Sequence, residues 1–336
     1  MMSTTIQPKN LLLKTVSVLV TALASCMLHA QTQTSTAANA PLTKPIRLVV
    51  PYAPGGPIDV TARALAERVK DSLGTVIVEN RPGAGGNIGS AFVSKAEPDG
   101  HTLLVGYNGP IAINPTLMKN ALDPVKDLTP VTLAMKGAQY LVVNPAAGVS
   151  NVQELVQSAK KNPNKWSYAS VAVGSGSHLT MEMLKMAADI NLTHVPYKGG
   201  GEAIGALVAG DVQAAFFVPG NVQQFAKDGR LRLLASTGRK RYASTPDVPT
   251  MIELGFKDFE ATVWAGFLLP AKTPKPIVER YHRELTKVLQ SPEVSEKLRQ
   301  IEYDVVTCTP DEFSAWIKTE IQRWGQIIKV TGSKVD

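Results

Sequence analysis

Three glycine-rich turns, each set between a strand-like run and a helix-like run, restrict this chain to a layered α/β fold. They are Pro54-Gly55-Gly56-Pro57-Ile58-Asp59, Gly83-Ala84-Gly85-Gly86-Asn87-Ile88-Gly89 and Gly174-Ser175-Gly176-Ser177-His178. Glycine lets the backbone approach a ligand, and the start of a helix leaves N–H groups without partners, so each junction is a receptor for an anion. Before the first turn, Ile46-Arg47-Leu48-Val49-Val50 reads as a buried strand; after it, Ile58, Ala62, Leu65, Val69 and Leu73 fall on one helix face that Gly74 closes. Thr75–Val78 and His101–Val105 continue as strands, with Asn87 expected to cap the intervening helix. Alternation of this kind implies right-handed crossovers and a mainly parallel sheet.

The rhythm restarts downstream. Leu141–Val143, Trp166–Val171, Leu192–Val195 and Val212–Val218 read as strands of a second α/β unit, and Trp264–Leu269 as a strand returning the chain. Thr309-Pro310-Asp311-Glu312 opens a final helix with Phe313, Ile317, Ile321, Trp324 and Ile328 on one face. Two lobes are expected, one from residues 44–140 with 265–336 and one from 141–264. The strands Leu141–Val143 and Trp264–Leu269 would form a two-strand hinge, giving a clamshell.

The first thirty residues stand apart. Lys9 and Lys14 precede an apolar run from Val16 to Leu28, and small residues follow, the order of a secretory signal cleaved after Ala30. That run is shorter than the roughly 20 residues of a membrane span. Leu23-Ala24-Ser25-Cys26 also resembles a lipobox, which leaves lipidation at Cys26 open. Residues 31–43 form a polar tether with no apolar period. The mature chain would be extracytoplasmic, yet with Cys308 its only remaining cysteine it must rest on its core rather than on disulfides.

The formal charge of +7 suits an anionic ligand, but no basic cluster with interleaved aromatics is present, which argues against nucleic acid. His29, His101, His178, His194 and His282 share no metal-ligand spacing with one another or with cysteine, so neither a metal nor a cofactor is expected. The second turn lacks the Lys-Ser/Thr ending of a phosphate loop and the spacing of a dinucleotide fingerprint. The third places Ser175 and Ser177 beside His178 without matching the G-x-S-x-G elbow, leaving a serine hydrolase as the rival reading. Asp59, Asn87 and Ser177 could equally cap helices, His178 could be a satisfied histidine, Tyr52 and Tyr197 could be core aromatics, and Arg47 reads as a surface charge.

Taken in order, Pro51-Tyr52-Ala53-Pro54-Gly55-Gly56-Pro57-Ile58-Asp59, Glu79-Asn80-Arg81-Pro82-Gly83-Ala84-Gly85-Gly86-Asn87, Gly174-Ser175-Gly176-Ser177-His178 and Val195-Pro196-Tyr197-Lys198-Gly199-Gly200 resemble the motifs of the Bug receptors. These are the periplasmic substrate-binding proteins of tripartite tricarboxylate transporters. The resemblance runs from about Lys44 to the C-terminus. It implies a Venus-flytrap fold, a small organic carboxylate bound largely through main-chain amides and bridging waters, and a two-component membrane permease as partner. One departure stands out: Phe216-Phe217-Val218-Pro219-Gly220-Asn221 occupies the place where the family often has an Asp-Asn pair. Loss of that acid argues for a carboxylate without a cationic group, an aromatic acid or dicarboxylate among the options.

The expected site therefore joins Tyr52, Pro54, Gly55, Gly56, Ile58, Asp59 and Asn87 from one lobe to Ser175, Ser177, His178, Tyr197 and Phe217 from the other. A monomeric binding protein is expected, with a ligand-presenting sensor module as a further alternative that would use the same pocket.

Overall fold

The computed structural model describes residues 44–333 apart from Asn164. The leader, the tether and Cys26 lie outside these residues. No described helix is long and apolar enough to cross a membrane.

Two sheets organise the chain. The first is ordered β11-β4-β10-β3-β1-β2, from β1 (Ile46–Val50), β2 (Val76–Asn80), β3 (Thr102–Tyr107), β4 (Leu128–Ala138), β10 (Thr262–Pro270) and β11 (Asp304–Val305). The second is ordered β7-β6-β8-β5-β9, from β5 (Tyr140–Val143), β6 (Ser167–Ser170), β7 (Thr193–Pro196), β8 (Ala214–Phe217) and β9 (Arg232–Ser236). Parallel pairing holds where strands alternate with helices, in β2-β1-β3 and β7-β6-β8. Strands that carry the chain between the sheets pair antiparallel: β10 with β3 and β4, and β5 with β8 and β9. The sheets are thus mixed rather than mainly parallel, because a chain that leaves a lobe and returns re-enters its sheet from the opposite end.

Side-chain alternation divides each sheet's strands between two cores, one on each face. Leu48, Leu103 and Phe267 point into one cluster of the first sheet, and Val49, Leu104 and Leu268 into the other. In the second sheet Leu141 and Phe216 face one cluster while Tyr140, Val142 and Phe217 face the other. Helix α1 (Pro57–Leu73) follows β1 and buries Ile58, Ala62, Leu65, Val69 and Leu73 before Gly74 ends it, as the periodicity requires. The capping box between Thr309 and Glu312 starts the long C-terminal helix Pro310–Thr331, which buries Phe313, Ile317, Trp324 and Ile328.

The passage between lobes differs from the sequence expectation. Leu141–Val143 lies inside the second sheet and Trp264–Leu269 inside the first. The chain crosses just outside these runs, at Gln139 and again between Thr237 and Ala261. There the Gln139 N–H donates to Thr237 Oγ1 at 2.8 Å, the Thr237 N–H returns to the Gln139 carbonyl at 2.8 Å, and the Thr237 hydroxyl donates to the Ala261 carbonyl. All three residues are buried. The crossing strand β4 escaped the sequence reading because Pro130 and Gly137 interrupt its apolar run.

Candidate functional site

Four parallel-strand ends feed four helices whose first turns meet at one cavity. After β1 comes α1, whose N-cap Gly56 offers no side-chain bond to the first-turn amides. After β6 comes a helix over Gly176–Ala188, with Ser175 as its N-cap; the Ser175 hydroxyl accepts from the His178 N–H. After β7 comes a helix over Gly200–Ala209, with Gly199 as N-cap, and after β8 one over Pro219–Lys227, with Val218 as N-cap; neither has a side-chain cap. Unsatisfied N–H groups and the positive end of the peptide dipole make each start a place for negative charge, worth about 0.3–1 kcal/mol at an exposed site.

The cavity has a volume of about 460 Å³. Gly55, Gly56, Ile58 and Asp59 line it from the first lobe, with Gly176, Ser177, Gly199, Gly200, Gly201, Gly220 and Asn221 from the second. Between these starts lie the apolar Ile204, Phe216, Phe217 and Val263 and the polar Tyr52, Tyr107, Gln139 and Tyr303. Among the described residues, no lysine or arginine lines it, and Asp59 is the one carboxylate that does.

That carboxylate is already occupied. Asp59 Oδ1 accepts from Arg63 Nη2 at 3.0 Å and Asn80 Nδ2 at 2.9 Å, and Oδ2 accepts from Arg63 Nε at 3.1 Å and the Gly55 N–H at 3.0 Å. Burial alone would raise its pKa, but the bonds from Arg63, Gly55 and Asn80 hold it below the ordinary carboxylate value. Asp59 therefore fastens the turn and stays ionised, its charge balanced by Arg63. Gly55 sits at φ 87°, a left-handed conformation open mainly to glycine, whereas Gly56, at φ −76°, is extended.

The structure brings together Tyr52, Pro54, Gly55, Gly56, Ile58, Asp59, Ser177 and Phe217 around this cavity. It places Asn87, Ser175, His178 and Tyr197 elsewhere. Asn87 does not cap its helix: Gly86, at φ 94°, occupies the N-cap, and the Asn87 side chain accepts from Asn114 Nδ2 at 2.9 Å. Ser175 is fully buried behind the wall, its hydroxyl donating to the Ala172 carbonyl at 2.7 Å. His178 stacks on His194 at 4.1 Å, and His194 on Tyr168 at 4.8 Å. Tyr197 is half-buried against the core around Ile204 and Leu207. The second glycine turn also works from behind: a Cβ on Gly85 would come within 2.6 Å of the Val173 carbonyl, so this glycine lets the two lobes' loops touch.

Nor do the hydroxyls and the imidazole form a nucleophile-base pair. His178 Nδ1 accepts the Gly174 N–H at 3.2 Å, and Ser177 Oγ accepts the Val171 N–H at 3.2 Å and lies 2.9 Å from Ser175 Oγ. Burial, then Lys185, lowers the His178 pKa to about 4, and burial, then His178, lowers that of His194 to about 3. Among the described residues, no group of three or more His, Cys, Asp or Glu side chains is placed to hold a metal ion.

Sequence reasoning missed Tyr107, Gln139, Tyr303 and the Gly220-Asn221 turn. Two sequence signals bear on these walls: the glycines from Gly199, and the Pro219-Gly220-Asn221 turn within the segment that departs from the Bug pattern.

Known proteins share this architecture. Protein BugT of Bordetella pertussis is 36% identical over 295 residues, covering 87% of this chain and 90% of BugT. The solved periplasmic binding protein BugD superposes with a TM-score of 0.83 at 34% identity, covering 87% of this chain and 99% of that one. R. palustris Rpa4515, solved with adipate, superposes with a TM-score of 0.82 at 30% identity, covering 86% and 98%. A family model described as the tripartite tricarboxylate transporter family receptor matches residues 61–333, and with the glycine-turn cavity between two α/β lobes this chain belongs to that family of receptors.

Proposed function

We propose that this protein is a periplasmic solute receptor that captures a small organic carboxylate, aromatic or dicarboxylic, and presents it to a two-component membrane permease. One observation carries the reading: four helix starts converge on a single cavity lined, among the described residues, by no cationic side chain, three of them without side-chain caps. Such a site takes a carboxylate through main-chain amides, so its selectivity comes from direction and not from an opposing charge. With Asp59 neutralised by Arg63, the lining offers no free anion to an ammonium group, which favours acids over amino acids. Adipate in the R. palustris relative fits this chemistry.

Capture is the whole task in this reading, with the ligand drawing the lobes together and the permease reading the closed form. Export by the leader and a monomeric state complete it. A thermal-shift screen of mono-, di- and tricarboxylates, aliphatic and aromatic, tests it directly. A ligand at 100 times its dissociation constant should stabilise the fold by about 2.7 kcal/mol. Absence of any shift across the panel would remove the reading. Steady conversion of carboxylate esters that Ser175→Ala or Ser177→Ala abolishes would replace it with a hydrolase.

A further inference from the structure

Tyr303 closes the cavity from the first lobe. It is 1% exposed, and its hydroxyl is buried without a hydrogen-bond partner while the residue lines the cavity. The neighbouring Tyr107 phenol interacts with it, at a geometry short of a regular hydrogen bond. Burial, and then the nearness of Tyr303, keeps the Tyr107 phenol protonated; burial does the same for Tyr303. Buried hydroxyls in native proteins nearly always have a partner, so an orphan on a residue that lines a ligand cavity marks where a ligand atom belongs.

The position is built rather than incidental. Glu302, the preceding residue, adopts a left-handed conformation at φ 59°, one that a non-glycine residue holds only when its surroundings fix it. Its buried carboxylate accepts from the Tyr140 hydroxyl at 2.6 Å, from Gln223 Nε2 at 2.8 Å and from the Ser244 hydroxyl. Tyr140 and Gln223 lie between the two crossings, and Ser244 lies within the second. The Tyr303 ring lies over Gly137, where an added Cβ would stand 3.0 Å from its Cδ1. The turn at Glu302 and the flat seat on Gly137 together fix the ring of this cavity-lining residue.

We propose that Tyr303 determines which carboxylates this receptor accepts, its hydroxyl bonding an oxygen carried at the ligand's end remote from the amide-bound carboxylate. This rests on the carboxylate reading above and narrows it to acids with a second oxygen-bearing group, a hydroxyl or another carboxyl. A purely hydrocarbon tail would leave the phenol buried and unpaired, which disfavours it.

Calorimetry on two matched pairs tests the inference: adipate against hexanoate, and 4-hydroxybenzoate against benzoate. Wild type should bind the oxygen-bearing member of at least one pair about tenfold more tightly. Tyr303→Phe should bring that ratio close to one, chiefly by weakening the oxygen-bearing member. Phenylalanine keeps the ring on Gly137 and gives up only the contact with the Tyr107 phenol, so the ligand-free variant should melt close to wild type. A preference that survives in Tyr303→Phe overturns the assignment, as does a lowered melting point with the preference intact, the mark of a merely structural hydroxyl. If wild type binds both members of each pair equally well, the assignment falls and the carboxylate reading stands. If it binds no carboxylate, both fall.

Discussion

Replacing Asp59 by alanine should loosen the first glycine turn and weaken ligand capture together. Asp59 is 3% exposed and gathers four hydrogen bonds, from Arg63 twice, from Asn80 and from the Gly55 N–H. Bonds to an ionised acceptor contribute about 1.5–3 kcal/mol each when buried, but Asn80 keeps its bond to the Tyr52 carbonyl and the Gly55 amide can turn to water at the cavity. The Arg63 side chain is 51% exposed, so its ion pair is discounted for solvent to about 0.5 kcal/mol. A total near 3 kcal/mol follows, and at about 2–4 °C per kcal/mol for a chain of this size the melting point should drop by about 6–12 °C. Differential scanning calorimetry of the ligand-free protein reads this loss, and titration calorimetry should show affinity for the best carboxylate reduced by at least about tenfold, because Gly55 is no longer tied. Asp59 has a depressed folded pKa, so its contribution is present above the unfolded value of about 3.9 and is lost as pH falls through the folded value. The gap between wild type and Asp59→Ala should therefore persist from pH 7 to pH 5 and close only in stronger acid. An unchanged melting point would refute the bracing role; a lowered one with full affinity would move the ligand away from this turn.

Gly56→Val should fold normally, since Gly56 is extended and an added Cβ meets no atom within 4 Å, yet its side chain should obstruct the ligand at the first helix start and lower affinity by about tenfold in calorimetry. Gly85→Ala brings a methyl to 2.6 Å from the Val173 carbonyl across the loops, so small-angle scattering at saturating ligand should show a smaller radius of gyration than the ligand-free form in wild type and a weaker contraction in the variant. Identical wild-type curves would mean that the lobes do not close on the ligand. His178 and His194, with folded pKa values of about 4 and 3 against about 6.5 unfolded, contribute full stability above pH 6.5 and lose it as the pH falls toward 4. The urea midpoint should fall over that window, and His178→Phe, which keeps the stack on His194, should flatten the fall; an equal slope in the variant would exclude His178 as the titrating group.

Local physics was enough to read much of this chain. The helix Pro57–Leu73 follows from apolar spacing closed by Gly74, and the last helix from a threonine cap with glutamate three residues on; neither needs the rest of the molecule. Strand, glycine turn and helix in succession likewise announced where amides would be left open, which is why Gly55, Gly56 and Ser177 could be named from sequence. Asn87 misled for the same reason that it attracted notice: an asparagine before an apolar run looks like a cap, but Gly86 in the left-handed region took that place and freed the side chain for Asn114.

Other features depend on residues far apart in the chain. Ser175 and Ser177 are two positions apart, yet only Ser177 lines the cavity, because the turn of the helix start points the other hydroxyl back to Ala172. Tyr303 joins the cavity lining from near the end of the chain, next to Glu302, whose carboxylate is held by Tyr140, Gln223 and Ser244. The crossings at Gln139 and Thr237–Ala261 are hydrogen-bonded to each other across nearly a hundred residues. Sequence alone determined the α/β units and the open helix starts, since hydrophobic period, capping and glycine act within a few residues. Only the tertiary structure decided which starts share a cavity, how the mixed sheets close and which hydroxyl-bearing residues line that cavity, because those depend on contacts between distant segments that no local pattern encodes.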